Sequence, residues 1–261
     1  MTNGARFLSF LFVLAIAAPA MAQTAEVLVI HNAPDPAAST VDVYLDGTLA
    51  VPNFGFRTAA VVDLPAGSEI EIGIAPGTGT TVDDVIATFP FTLSAGERYV
   101  VMATGLVDTG LASNPDGIDV GFTLLPYTPW ETMASSGNVG LLLYHGAPDA
   151  PAVDAIARNV GPLFENQAFK EFSDGYLEVP AGEYTIDVAP TGGQPIAAFS
   201  APLTGLDGAA AVVFASGFLG STPGFGLFAA LPNGDVIELP STQVVSNEAS
   251  SFGSLKAGFQ N

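Results

Sequence analysis

The chain has 261 residues, with Lys+Arg 6 against Asp+Glu 26 and a formal net charge of -20. Phosphate binding needs clustered Lys and Arg, so this balance argues against nucleic acid, and equally against anionic membranes. Cysteine is absent, which excludes disulfides, thiolate metal centres and cysteine nucleophiles, while 49% hydrophobic residues supply material for packed cores.

Residues 1–22 read as a secretory signal. Arg6 is the only charge before Glu26, Phe7 to Ala18 is an almost unbroken apolar run, and Ala20-Met21-Ala22 gives the small-x-small pattern of a cleavage site before Gln23. The run is about 12 residues, short of the roughly 20 that span a bilayer as a helix. No later segment is long and apolar enough to span, so the mature chain is expected without a membrane span. An exported protein is expected, extracellular or on the cell surface, with the periplasm as the other compartment.

Beyond the signal the chain repeats itself. His31-Asn32-Ala33-Pro34-Asp35 returns as His145-Gly146-Ala147-Pro148-Asp149, 114 positions later. Val41-Asp42 returns as Val153-Asp154, Leu64-Pro65-Ala66-Gly67 as Val179-Pro180-Ala181-Gly182, and Ala103-Thr104-Gly105 as Ala215-Ser216-Gly217. Ordered landmarks at a near-constant offset mark a tandem duplication. The expected division is residues 23–125 and 138–240 for the two copies, 126–137 for a linker and 241–261 for a disordered tail. Each copy carries its own alternations and turns, so each is expected to fold on its own, the pair forming a semi-rigid rod. Tyr127 and Trp130 are candidates to pack between them.

Within each copy the apolar spacing has period two, the mark of a strand. Val27, Val29 and His31 share one face, as do Ile70, Ile72 and Ile74, and Tyr184, Ile186 and Val188 in the second copy. Asp46-Gly47 and Asn233-Gly234 are two-residue hairpin signals. Tyr99 to Met102 and Ala210 to Phe214 are apolar throughout, as central strands covered on both faces are. Seven or eight short strands per copy predict an all-β chain of two tandem antiparallel β-sandwiches, immunoglobulin-like in class. One helical turn is expected near Phe164 to Phe172.

The order His-x-Ala-Pro-Asp, then Val-Asp, then Leu/Val-Pro-Ala-Gly before a strand resembles the bacterial family called domain of unknown function 4397. That resemblance implies secreted, often tandem β-sandwich modules and brings no established activity. The second copy departs at Val153-Asp154-Ala155-Ile156-Ala157-Arg158, where the Asp-Gly turn of the first is missing. Leu255 to Asn261 is similar to the lead-in of a type IX secretion sorting segment, without the Tyr-Pro-Asn-Pro stretch that would follow.

Reactive constellations are scarce. The two His occupy one repeat position, and no G-x-S-x-G elbow, His-x-His pair or phosphate-binding loop followed by Lys occurs. Carboxylate pairs abound, but nothing singles one out for glycoside hydrolysis. The expectation is a non-catalytic secreted or cell-surface module with an adhesion, matrix or spacer role and no required cofactor. The element of interest is His31, Asp35 and Asp42 with their counterparts His145, Asp149 and Asp154. It reads either as a duplicated cation or ligand site or as a structural device. In the second case the loop Asp caps its own turn and the next strand's Asp holds the imidazole. Calcium is the most credible ion, with Asn114, Asp116 and Asp119 or the Asp83-Asp84 pair as further oxygen donors.

Overall fold

A computed structural model describes residues 23–79 and 81–244. The proposed signal and the end of the tail, including the sorting-segment likeness, lie outside the described residues. The first half runs β1 (Thr24–Asn32), β2 (Thr40–Leu45), β3 (Thr48–Gly55), β4 (Thr58–Pro65), β5 (Glu69–Pro76), β6 (Ala87–Thr92), β7 (Arg98–Thr104) and β8 (Thr123–Tyr127). The second runs β9 (Asn138–His145), β10 (Val153–Ala157), β11 (Gly161–Gln167), β12 (Leu177–Pro180), β13 (Glu183–Pro190), β14 (Ala197–Pro202), β15 (Ala210–Ser216), β16 (Gly226–Ala230) and β17 (Val236–Glu238). Both halves are β-sandwiches, as the alternation predicts. The expected helical turn at Phe164 to Phe172 is instead the end of β11 and a turn after it.

Each sandwich has an outer and an inner sheet. The outer sheets, in order β3-β2-β5-β6 and β11-β10-β13-β14, are antiparallel throughout. The inner sheets, β4-β1-β7-β8 and β12-β9-β15-β16-β17, each carry one parallel pair, β1 with β7 and β9 with β15. That pair departs from a purely antiparallel sandwich: the last third of each repeat returns beside its first strand in the same direction.

Local chemistry explains the turns. Asp46 and Gly47 both adopt positive φ (47° and 76°), which the two-residue hairpin needs. Where the second copy lacks Asp-Gly, Asn159 at φ 63° takes the left-handed position that Asn tolerates.

The two sandwiches do not form a rod. The inner faces of Val27, Val101 and Leu124 pack against Val41 and Ile72 of the outer sheet to make the first core. Leu143, Ala215 and Leu227 do the same against Val153 and Ile186 in the second. The opposite faces of the inner sheets carry Leu28, Ile30, Val100 and Met102 on one side and Leu142, Tyr144, Val212 and Phe214 on the other. These eight pack together, all at 0% exposure, with Trp130 of the linker at 3%. The molecule is therefore a stack of four sheets with three apolar layers. Each fully buried aliphatic or aromatic side chain contributes roughly 1.5–3 kcal/mol, so the middle layer is a core in its own right. Tyr127 joins it, its ring 5.1 Å from Phe172 and 6.4 Å from Tyr176.

The start of the tail is paired rather than loose. Ser200 N–H donates to Pro240 O and Thr242 N–H to Ala198 O, both at 2.8 Å, which lays the chain after β17 along β14. The matching edge of the first copy, β6, has Pro90 where Ser200 stands, and proline has no N–H to offer.

Candidate functional site

The repeated element sits where β1 and β9 end. His31 is 0% exposed, and its Nε2 lies 2.7 Å from Ala38 O while Nδ1 accepts the Ala33 N–H at 3.4 Å. His145 is 1% exposed and repeats the pattern with Pro151 O at 3.1 Å and Ala147 N–H at 3.4 Å. A carbonyl can only accept, so Nε2 carries the proton in both rings and Nδ1 is the acceptor. Aromatic neighbours close the pockets: Phe54 and Phe56 lie 5.7 and 6.2 Å from His31, and Phe169 lies 6.3 Å from His145. Burial lowers both imidazoles to about 4, partly offset by the Ala38 carbonyl for His31 and by the Pro151 carbonyl, Asp116 and Asp149 for His145. Both rings are neutral at pH 7, with each nitrogen facing one main-chain partner.

The carboxylates are taken up in the same way. Asp35 Oδ1 caps the short 3₁₀ turn Pro36–Ala38 by accepting the Ala37 N–H at 2.8 Å, and its Oδ2 accepts the Asp108 N–H at 2.8 Å. Asp149 accepts the N–H groups of Leu219 (2.9 Å) and Gly220 (3.1 Å). The expected cap of its own turn thus holds for Asp35, whereas Asp149 reaches a loop seventy residues on. Asp42 and Asp154 do not hold the imidazoles. They accept the N–H groups of Asn53 (2.7 Å) and Asn166 (2.8 Å), which have positive φ (52° and 53°) at the irregularities where β3 and β11 shift register against β2 and β10. A ladder irregularity leaves N–H groups unpaired, and the Val-Asp motif supplies the missing acceptor.

Of the further oxygen donors, Asn114, Asp116 and Asp119 serve the contact between the halves. Asn114 Nδ2 donates to Pro148 O (3.2 Å) and Ala150 O (2.8 Å), and Asp116 Oδ2 accepts the Ala152 N–H at 2.7 Å. Asp119 lies 3.5 Å from Lys170 Nζ. Asp84 accepts the Thr81 N–H at 3.1 Å. Among the described residues no three His, Asp or Glu side chains gather in a way that could hold a metal ion.

What the sequence reading missed is a reciprocal clasp. Arg57, after β3, reaches into the second half, where its guanidinium donates to Ser216 Oγ (3.0 Å), Ser216 O (3.3 Å) and Gly224 O (2.6 Å). It also lies over the rings of Phe56 and Phe228, 4.8 and 4.3 Å from their centroids. Lys170, at the same repeat position, reaches the other way and donates to Gly121 O at 2.7 Å. Both residues have positive φ (63° and 67°), and their N–H groups donate to His31 O and His145 O at 2.8 Å. The acceptors Gly121 and Gly224 are themselves equivalent, each paired in parallel with the strand extension at Leu106 or Phe218. The halves are thus related by an approximate two-fold axis, and such an axis makes residue i of one side contact residue j of the other and the reverse. Near that axis Asn32 Nδ2 donates to Ala215 O at 3.0 Å, and a Cβ on Gly146, the counterpart of Asn32, would collide with that same amide. One copy carries Asn and the other Gly because both cannot carry a side chain there. Burial lowers the pKa of both cations, with Glu238 opposing it for Arg57 and Asp119 for Lys170.

The family model described as Domain of unknown function (DUF4397) matches the chain twice, over residues 25–120 and 139–234. The chain belongs to this family. Its two matches fall on the two sandwiches, β1 to the loop before β8 and β9 to the turn before β17. No curated protein matches the chain. Among the described residues no helix is long and apolar enough to cross a membrane.

Proposed function

We propose that this DUF4397 protein is an exported, non-catalytic module of the cell surface or extracellular matrix. The observation that carries the reading is the use of the repeated His/Asp element. Both nitrogens of each ring and the carboxylates beside them are hydrogen-bonded to main chain. Groups so engaged are not poised for proton transfer or for a cation. The exterior supports the reading too. Arg57, Arg98, Arg158 and Lys170 are the cations among the described residues, and each is engaged: Arg98 with Glu26 at 2.7 Å, Arg158 with Asp187, the other two in the clasp. The face presented to a partner is therefore acidic, suited to a cationic or calcium-bridged neighbour.

The test is expression with the native leader, followed by fractionation and intact mass. The reading expects a chain beginning at Gln23 outside the inner membrane, susceptible to protease shaving of whole cells, with deletion weakening attachment or matrix retention. Retention in the cytoplasm with residues 1–22 intact would overturn export. Turnover of an ester, glycoside or peptide substrate that His145→Gln abolishes would overturn the non-catalytic reading.

A further inference from the structure

Protein interiors pack at the density of organic crystals, with few voids larger than a water molecule. Both sandwiches depart from this in the same place. Between inner and outer sheets the first encloses a cavity of about 220 Å³ and the second one of about 170 Å³. The walls correspond position by position, Val43 with Ala155, Ile72 with Ile186, and Val101 with Val213. The side chains have nevertheless been exchanged, the first cavity's Val43 standing where the second has the smaller Ala155. The space persists although its lining changes, so one ill-fitting residue does not account for it.

Each cavity borders an edge where the facing strands are not paired with one another, β3 and β4 in the first and β11 and β12 in the second, and the second also extends to Pro202, Leu203 and Leu239 at the opposite edge. Val43, Leu45 and Val62 belong to the first core, and Leu163, Phe164 and Val213 to the second, yet all six are only half-buried. The lining is aliphatic and aromatic apart from a few polar groups, with a single carboxylate in each: Asp63 in the first, Glu238 in the second. Both carboxylates are solvent-exposed, so selection against charge rests on the apolar walls, which leave a buried charged group without a partner. In size the spaces match an apolar cavity of about 150 Å³ that stays dry and takes up benzene or xenon.

We propose that each DUF4397 sandwich of this protein binds a compact, uncharged, apolar molecule between its sheets. The site is independent of the surface role proposed above. The whole mature chain, residues 23–261, is titrated with benzene while valine, leucine and isoleucine methyl resonances are followed, and crystals are pressurised with xenon. Saturable shifts at methyls of Val43, Val101 and Val213, a dose-dependent rise in melting temperature and xenon density in both sandwiches are expected. Val43→Phe and Ala155→Phe fill one cavity each, and each removes the benzene response of its own sandwich alone. Unchanged methyls up to benzene saturation together with empty cavities under xenon would overturn the proposal, with or without folded variants. Co-sedimentation with neutral phosphatidylcholine vesicles that benzene competes away would overturn the assignment to a free molecule, making the occupant a lipid chain.

Discussion

The histidines make a quantitative test of what the repeated element is for. A free imidazole ionises near 6.5, whereas His31 and His145 are held at about 4 in the folded chain. Between those values the unfolded chain binds protons that the folded one refuses. Stability is then complete above 6.5, falls as the pH drops through the interval, and loses nothing more from these rings below about 4. The gap amounts to about 3–4 kcal/mol per ring and about 7 kcal/mol for both. That is comparable to the whole stability of many domains, roughly 5–15 kcal/mol. Twenty-six carboxylates also titrate toward the acid end, so the informative quantity is a difference between two proteins. Urea unfolding of the wild type and of His31→Gln/His145→Gln, from pH 7.5 to 4, supplies it. Glutamine keeps a donor for Ala38 O and Pro151 O but cannot take up the proton. The variant should be the less stable at pH 7.5, having lost ring contacts with Phe54 and Phe169, and should close most of that gap or overtake by pH 4.5. Parallel curves would refute the reasoning, since they would mean that the rings are charged in the fold or reachable by water.

Three further outcomes follow from the clasp and the middle layer. Arg57→Ala removes three hydrogen bonds and two ring contacts, so it should cost about 2–4 kcal/mol in calorimetry, with Arg57→Lys recovering only part; a neutral alanine variant would contradict the clasp. Gly146→Ala drives a Cβ against Asn32 and to 2.8 Å from Ala215 O; it should cost more than about 1 kcal/mol, and the double variant with Asn32→Ala should cost clearly less than the two singles summed. A protease site placed at Met133, which is 74% exposed, allows the linker to be cut in the folded chain. The two halves should stay together on gel filtration and melt with a concentration dependence that the intact chain lacks, whereas halves that separate and stay folded would show the middle layer to be dispensable.

Much of this was legible in the sequence. Period-two alternation and Asp46-Gly47 located strands and a hairpin, and the offset of 114 located the duplication. The repeated His and Asp residues were visible as a unit, but their partners were not. Ala38 O, Pro151 O and the N–H groups of Asn53 and Asn166 are main-chain groups that every residue offers, and only the fold decides which of them lie within reach. For that reason Asp42 and Asp154 were matched with the wrong partner. The parallel β1–β7 pairing was hidden in the same way, because alternation reports a strand's faces and not its direction. Arg57 and Lys170 did leave a trace: two of six cations stand at the same repeat position in a chain otherwise poor in positive charge.

The continuous apolar runs show how a correct local reading can yield a wrong assembly. Tyr99 to Met102 and Ala210 to Phe214 do indicate strands covered on both faces, and the structure covers both. A lone sandwich has only one covered face per sheet, so the second cover had to come from elsewhere, and the nearest surface of matching pattern was the other copy. A rod of two self-sufficient modules was therefore inconsistent with those runs from the start: it would have left Leu28, Ile30, Val100 and Met102 in water. Two copies that cover one another across a two-fold axis need a matching apolar patch on each, together with a rule for the axis itself, where equivalent residues meet. The patch persists as Leu28 and Leu142, Val100 and Val212, Met102 and Phe214. The rule is the exchange of Asn32 for Gly146. Once joined in one chain, the copies were free to differ at the axis, which two identical subunits could not have done. The asymmetry of the His-x-Ala-Pro-Asp motif at its second residue is thus one that a fused chain can carry at a two-fold contact, because the Asn32 amide fills the space that a side chain on residue 146 would need.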